Sequence, residues 1–114
     1  MIEMLKLIIS FLTLLTGAWS LFSPHSTVGF TGLKPEGGRG VTEIRAVLGG
    51  LFIALGLAPL VYRGDTFAML GFAYLGIAIV RLVSIFVDKS STQSNWISLA
   101  VEIVFGAVLM IGAW

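Results

Sequence analysis

The chain has 114 residues, of which 57% are hydrophobic and 11% charged, with a net charge of +1 and no cysteine. A soluble domain of this length carries about a quarter charged residues to keep its surface wet, so the composition excludes a globule in water and makes lipid the solvent for most of the outside. Seven Lys/Arg scattered along the chain form no basic stripe for nucleic acid, and the lack of cysteine removes disulfides, thiolate metal sites and thiol nucleophiles.

The first apolar segment runs from about Met4 to Phe22. Lys6 ahead of it and the small-x-small step Ala18-Trp19-Ser20 give it a superficial likeness to a signal peptide. The run is long for such a peptide, and Glu3 stands in the charged region ahead of it, so an uncleaved first span is expected. Ser23-Pro24 ends it. A polar stretch over residues 23–42 follows, with His25, Lys34, Pro35, Glu36 and the run Gly37-Gly38-Arg39-Gly40. Its prolines and glycines argue for an exposed or partly re-entrant loop.

The second segment covers about Ile44 to Tyr62, with Pro59 loosening its last turn. Arg63-Gly64-Asp65 reads as a tight turn, with Asp65 or Thr66 capping a third segment from about Thr66 to Val87. Residues 88–92 turn into the fourth segment, about Asn95 to Trp114. Each segment approaches the ~20 residues, ~30 Å at 1.5 Å per residue, that cross the hydrocarbon core. Membrane strands would alternate apolar and polar residues, whereas these runs are apolar all round. The expected fold is all-α, a single integral membrane four-helix bundle, with Trp96 and Trp114 as aromatic interface anchors and Trp19 and Tyr62 in similar roles. Four spans place Lys34, Arg39 and Lys89 on one face, which leans that face toward the cytoplasm.

Depth makes the charges informative. Arg81 lies about 9 Å below the end of the third span, and Glu102 lies equally far into the fourth, which starts from the same face. A charge at the centre of a span costs ~2.5–3.5 kcal/mol. An Arg81–Glu102 ion pair would offset much of that. Glu43 and Arg45 stand at the entrance of the second span, and Ser84 and Asp88 follow Arg81 along one side of the third helix. Small residues offer close packing: Ala46, Gly50, Ala54 and Ala58 recur every fourth residue in the second span, next to Gly49. Gly76, Val80 and Ser84 align in the third span, as do Ser98, Glu102 and Gly106 in the fourth. The first lines up Lys6, Ser10, Thr13, Gly17 and Ser20.

The residues Glu43-Ile44-Arg45-Ala46, Gly49-Gly50, Gly56, Arg81-Leu82-Val83-Ser84 and Asp88 give the chain a resemblance that covers nearly its whole length. It resembles a family of small bacterial four-helix membrane proteins catalogued as a domain of unknown function, itself distantly similar to the DoxX-like membrane proteins. The resemblance implies a four-helix membrane bundle in a bacterial inner membrane and brings no settled activity. One departure is Lys89, where a glycine often follows the aspartate.

Several chemistries find little support. Glu43, Asp88 and Glu102 could be imagined around a cation, but two arginines lie near them in the pattern and no second carboxylate is spaced on one helix. The Gly37–Gly40 run matches no phosphate-binding fingerprint, and one histidine, His25, makes neither a metal site nor a triad. No cofactor or metal is expected. Three roles remain: a structural or accessory subunit, packed against lipid and a membrane partner or a second copy; a small-molecule or ion binder or transporter at the Arg81/Glu102 layer; and an enzyme acting on a lipid or quinone, for which no nucleophile or acid–base pair is evident.

Overall fold

The computed structural model describes residues 1–112, and the regular structure among them is entirely helical. Trp114, expected as an interface anchor at the end of the fourth span, lies outside the described residues. Helix α1 spans Ile2–Phe22, α2 is a short turn of helix over Val28–Thr31, α3 runs over Gly37–Tyr62, α4 over Asp65–Val87 and α5 over Gln93–Met110. Apart from α2, each is long and apolar enough to cross a membrane. Backbone proximity groups the chain into two compact units, one of residues 7–62 and one of residues 1–6 with the chain from residue 63 onward.

In the unit of residues 7–62, α1 and α3 touch backbone to backbone. A Cβ on Gly56 would stand 2.5 Å from the Leu14 nitrogen, and one on Gly17 would stand 2.7 Å from the Ile53 nitrogen. Gly49 lies against Leu21, with 3.1 Å from its Cβ position to the Leu21 Cα. The polar residues Ser10, Thr13 and Ser20 of α1 are buried with Gly17. The Thr13 hydroxyl donates to the Ile9 carbonyl at 2.9 Å, which satisfies it within the helix.

The loop expected over residues 23–42 is largely helical. A 3-10 turn, Pro24–Thr27, leads into α2, which Gly32 closes at φ 74°. After extended Glu36, α3 starts at Gly37 rather than near Ile44. Glycines cost helix stability, but adding turns to an existing apolar helix avoids the unfavourable nucleation step. The extension is also tied down locally: Arg39 pairs with Glu43 one turn on, and the Thr42 hydroxyl donates to the Gly38 carbonyl at 3.0 Å. From Ile44 to Leu51 the helix is π-helical, so its turns are wider than those on either side.

In the other unit α4 and α5 form a hairpin. A Cβ on Gly106 would meet the Leu75 side chain at 2.6 Å, and one on Gly71 would meet Leu109 at 3.1 Å. Ala78, Ile85 and Leu99 form a buried cluster, and Tyr74 sets its ring edge against Phe105 at 5.5 Å between centroids. At the far end, Glu3 of α1 pairs with Arg63 at 3.1 Å and Lys6 donates to the Ile111 carbonyl.

Neither Asp65 nor Thr66 caps α4 through its side chain, contrary to expectation. Gly64, at φ 51°, occupies the capping position, and the Thr66 hydroxyl turns back to the Arg63 carbonyl. Arg63 itself sits at φ 52°, so the turn is made by two successive residues at positive φ, which is strained for Arg63 and open to Gly64. Helix α5 begins conventionally: the Thr92 side chain accepts from the Asn95 N–H at 3.2 Å.

Candidate functional site

The site is built on the α4–α5 hairpin at its turn end. Arg81 Nε donates to Glu102 Oε1 at 2.8 Å and to Oε2 at 3.0 Å, and Nη2 donates to Oε2 at 2.8 Å. The guanidinium edge thus meets the carboxylate edge, a bidentate geometry open to arginine and not to lysine. Glu102 is only 7% exposed. A buried carboxylate left alone would be costly, and here a full positive charge and three hydrogen bonds answer it.

A third residue completes the clasp, and the sequence reading missed it. Arg81 Nη1 donates to Asn95 Oδ1 at 2.8 Å, while Asn95 Nδ2 donates to the Ser90 carbonyl at 2.9 Å. Asn95 precedes Glu102 by seven residues, two helical turns, so both lie on one face of α5. That spacing is the signal the sequence offers for Asn95, whose type and position otherwise mark only a helix start.

The turn carries the network back to α4. Ser90 N–H donates to the Ile85 carbonyl at 3.0 Å and Asp88 N–H to the Ser84 carbonyl at 2.8 Å. Lys89 holds φ at 52°. This is the left-handed helix ending known as a Schellman motif, in which glycine is the usual residue. The lysine adopts the backbone shape that a glycine would take there.

The remaining expected site residues divide by unit. Ser84 is half-buried on α4 one turn from Arg81, and Asp88 is exposed at the helix end. Glu43 and Arg45 belong to the unit of residues 7–62, where Glu43 takes Arg39 as its partner and Arg45 is exposed. The packing residues divide too. Gly49 and Gly106 stand at close contacts, whereas Ala46, Gly50, Ala54 and Gly76 are exposed, with open space beyond Gly76. The contact face of α3 passes instead through Gly49, Ile53 and Gly56, at steps of four and three residues. The period-four stripe starting at Ala46 points away from it. The line Ser10, Thr13, Gly17 and Ser20 expected on the first span is buried, with Gly17 at a close contact, whereas sequence reasoning passes over Gly71 and gives Gly56 no packing role.

Gly76, Ile77, Val80, Arg81, Ser84 and Asn95 line an open groove of about 510 Å³. No group of His, Cys, Asp and Glu among the described residues is arranged to hold a metal ion. The polar end of the groove shows hydrogen bonding and charge neutralisation.

Four helices among the described residues are long and apolar enough to cross a membrane, which marks a small multi-pass membrane protein. The chain belongs to the family described as Domain of unknown function (DUF4345), which it matches over residues 2–113. No curated protein and no solved structure matches it.

Proposed function

We propose that the protein is a structural or accessory subunit of the membrane, in which the Arg81–Glu102–Asn95 clasp fixes the α4–α5 hairpin so that its outer faces can pack on lipid or on another membrane protein. The observation that carries this reading is the saturation of Glu102, whose two carboxylate oxygens are both taken by Arg81 within the same hairpin. A carboxylate held this way braces the two helices. Long exposed apolar stretches, among them Ile79, Val80, Val83 and Phe86 on α4, supply the surface for lipid or a partner. A bacterial inner membrane as the location, and a distant kinship to the DoxX-like proteins, are supported by the sequence resemblance.

The test is purification in a mild detergent. An accessory subunit should carry a membrane-protein partner or a second copy of itself through size-exclusion chromatography, and Arg81→Lys should retain that partner if the hairpin remains folded. A monomer that binds nothing from the membrane in several mild detergents would count against it.

A second reading, a small-molecule binder or transporter at the Arg81/Glu102 layer, is favoured by one observation. The groove reaches Arg81, whose bonds to Glu102 and Asn95 leave N–H capacity on both terminal nitrogens. An enzyme acting on a lipid or quinone has least support, since the site has no nucleophile beside a base.

A further inference from the structure

We propose that the groove beside Arg81 holds one lipid molecule, with an uncharged ester carbonyl accepting from Arg81 and Ser84 and an acyl chain lying along Val80, Ile77 and Gly76. The inference rests on the clasp geometry and on the second reading above, and it is independent of the accessory role.

Three features of the groove select this occupant. The first is polarity along its length. Gly76 to Ser84 is a rise of eight residue steps along α4, about 12 Å, and passes from apolar walls at Gly76, Ile77 and Val80 to polar ones at Arg81, Ser84 and Asn95. Gly76 lies near the middle of α4 and Ser84 near its end, so the groove runs from mid-membrane toward the interface, as a lipid chain and its ester do. The absence of any atom within 4 Å of a Cβ on Gly76 leaves the chain end its space.

The second is preorganisation. Arg81 is 29% exposed at its side chain and is held in place by Glu102 and Asn95. Its remaining N–H groups are thus presented without further loss of side-chain freedom. The third is charge. Arg81 and Glu102 sum to zero, so an anion at this depth would bring an uncompensated charge, whereas a carbonyl brings only an acceptor.

Native mass spectrometry of the full chain tests this directly, with dioleoyl phosphatidylcholine as probe and its diether analogue, which lacks both carbonyls, as control. The ester lipid should be retained about tenfold more tightly than the ether, the scale of one hydrogen bond to a charged donor. Gly76→Leu should fill the groove and abolish retention of a single lipid without lowering the unfolding temperature of the lipid-free protein, since leucine is the better helix former. Equal retention of ester and ether by the unaltered protein would overturn the proposal whether or not Gly76→Leu folds. So would preference for dioleoyl phosphatidylglycerol over phosphatidylcholine, which would mean an anion site. Either result leaves the clasp standing, because the clasp is read from melting of Arg81 and Glu102 variants and not from lipid.

Discussion

Asn95 joins two functions that are separate in most helix hairpins. Its backbone N–H receives the Thr92 cap, and its side chain links the Arg81 guanidinium to the Ser90 carbonyl. Asn95→Ala should therefore cost about 1–3 kcal/mol of stability, the range for losing a hydrogen bond to a charged group, while Ser94→Ala on the exposed side should cost almost nothing. Chemical unfolding in detergent would check both. Lys89 invites the opposite result. Its φ of 52° is a conformation that costs a residue with a Cβ about 1–2 kcal/mol, so Lys89→Gly should raise the melting temperature. A fall would mean that the Lys89 side chain makes contacts worth more than the relief. Of these residues, Arg81 and Glu102 are legible in sequence because an ionisable side chain within an apolar run must find a partner, and helical rise fixes its depth. Asn95 is not, because a neutral amide near a helix start has many cheap ways to be satisfied.

At the level of elements, glycines that look alike in sequence divide sharply in the structure. Gly56 meets backbone atoms of Leu14 and Ser10, which have no room to yield. Gly56→Ala should force α1 and α3 apart and cost about 1–3 kcal/mol, the usual penalty for overpacking. Gly106 meets mainly the flexible tip of Leu75, so Gly106→Ala should cost less. Gly50 has only the Arg45 carbonyl at 3.9 Å, and Gly50→Ala should be neutral or stabilising, since alanine is the better helix former by about 1 kcal/mol. Melting temperatures ranked Gly56→Ala, Gly106→Ala, Gly50→Ala from lowest to highest would bear this out; equal values would contradict the packing described. A four-residue repeat of small side chains shows that a helix can be approached closely but not from which direction. The direction depends on where the partner helix lies, and the π-helical stretch Ile44–Leu51 alters the angular step within α3 itself. The helix start at Gly37 was hidden for a different reason: three glycines and an arginine read as loop by composition, and only the continuous helix behind them makes them helical.

For the molecule as a whole, the four long apolar helices are the most legible feature, because twenty apolar residues in a row leave lipid as the sole solvent. With no native cysteine, single cysteines can be placed without background. Cysteines at Gly64 and Ser90, which bracket α4, should react with a membrane-impermeant maleimide from opposite sides of the membrane, as should cysteines at Gly37 and Tyr62, which bracket α3. Labelling of either pair from one side would mean that the helix does not cross. What composition leaves unread is the division of labour along the chain, in which one hairpin is braced by a charge clasp and the α1–α3 pair by backbone contact.

The claim on which the rest depends is that Arg81 and Glu102 hold the α4–α5 hairpin together, and thermal unfolding of the charge-exchange set in detergent measures it most directly. Arg81→Ala should cost about 3–5 kcal/mol, since it strands the buried Glu102 carboxylate, and Glu102→Ala should cost less, since Arg81 is 29% exposed and its long side chain can reach toward water. The exchanged pair, Arg81→Glu with Glu102→Arg, should recover part of that loss but not all, because Asn95 no longer faces a guanidinium on α4. Single variants that unfold at the parent temperature, or an exchanged pair no better than the worse single variant, would contradict it.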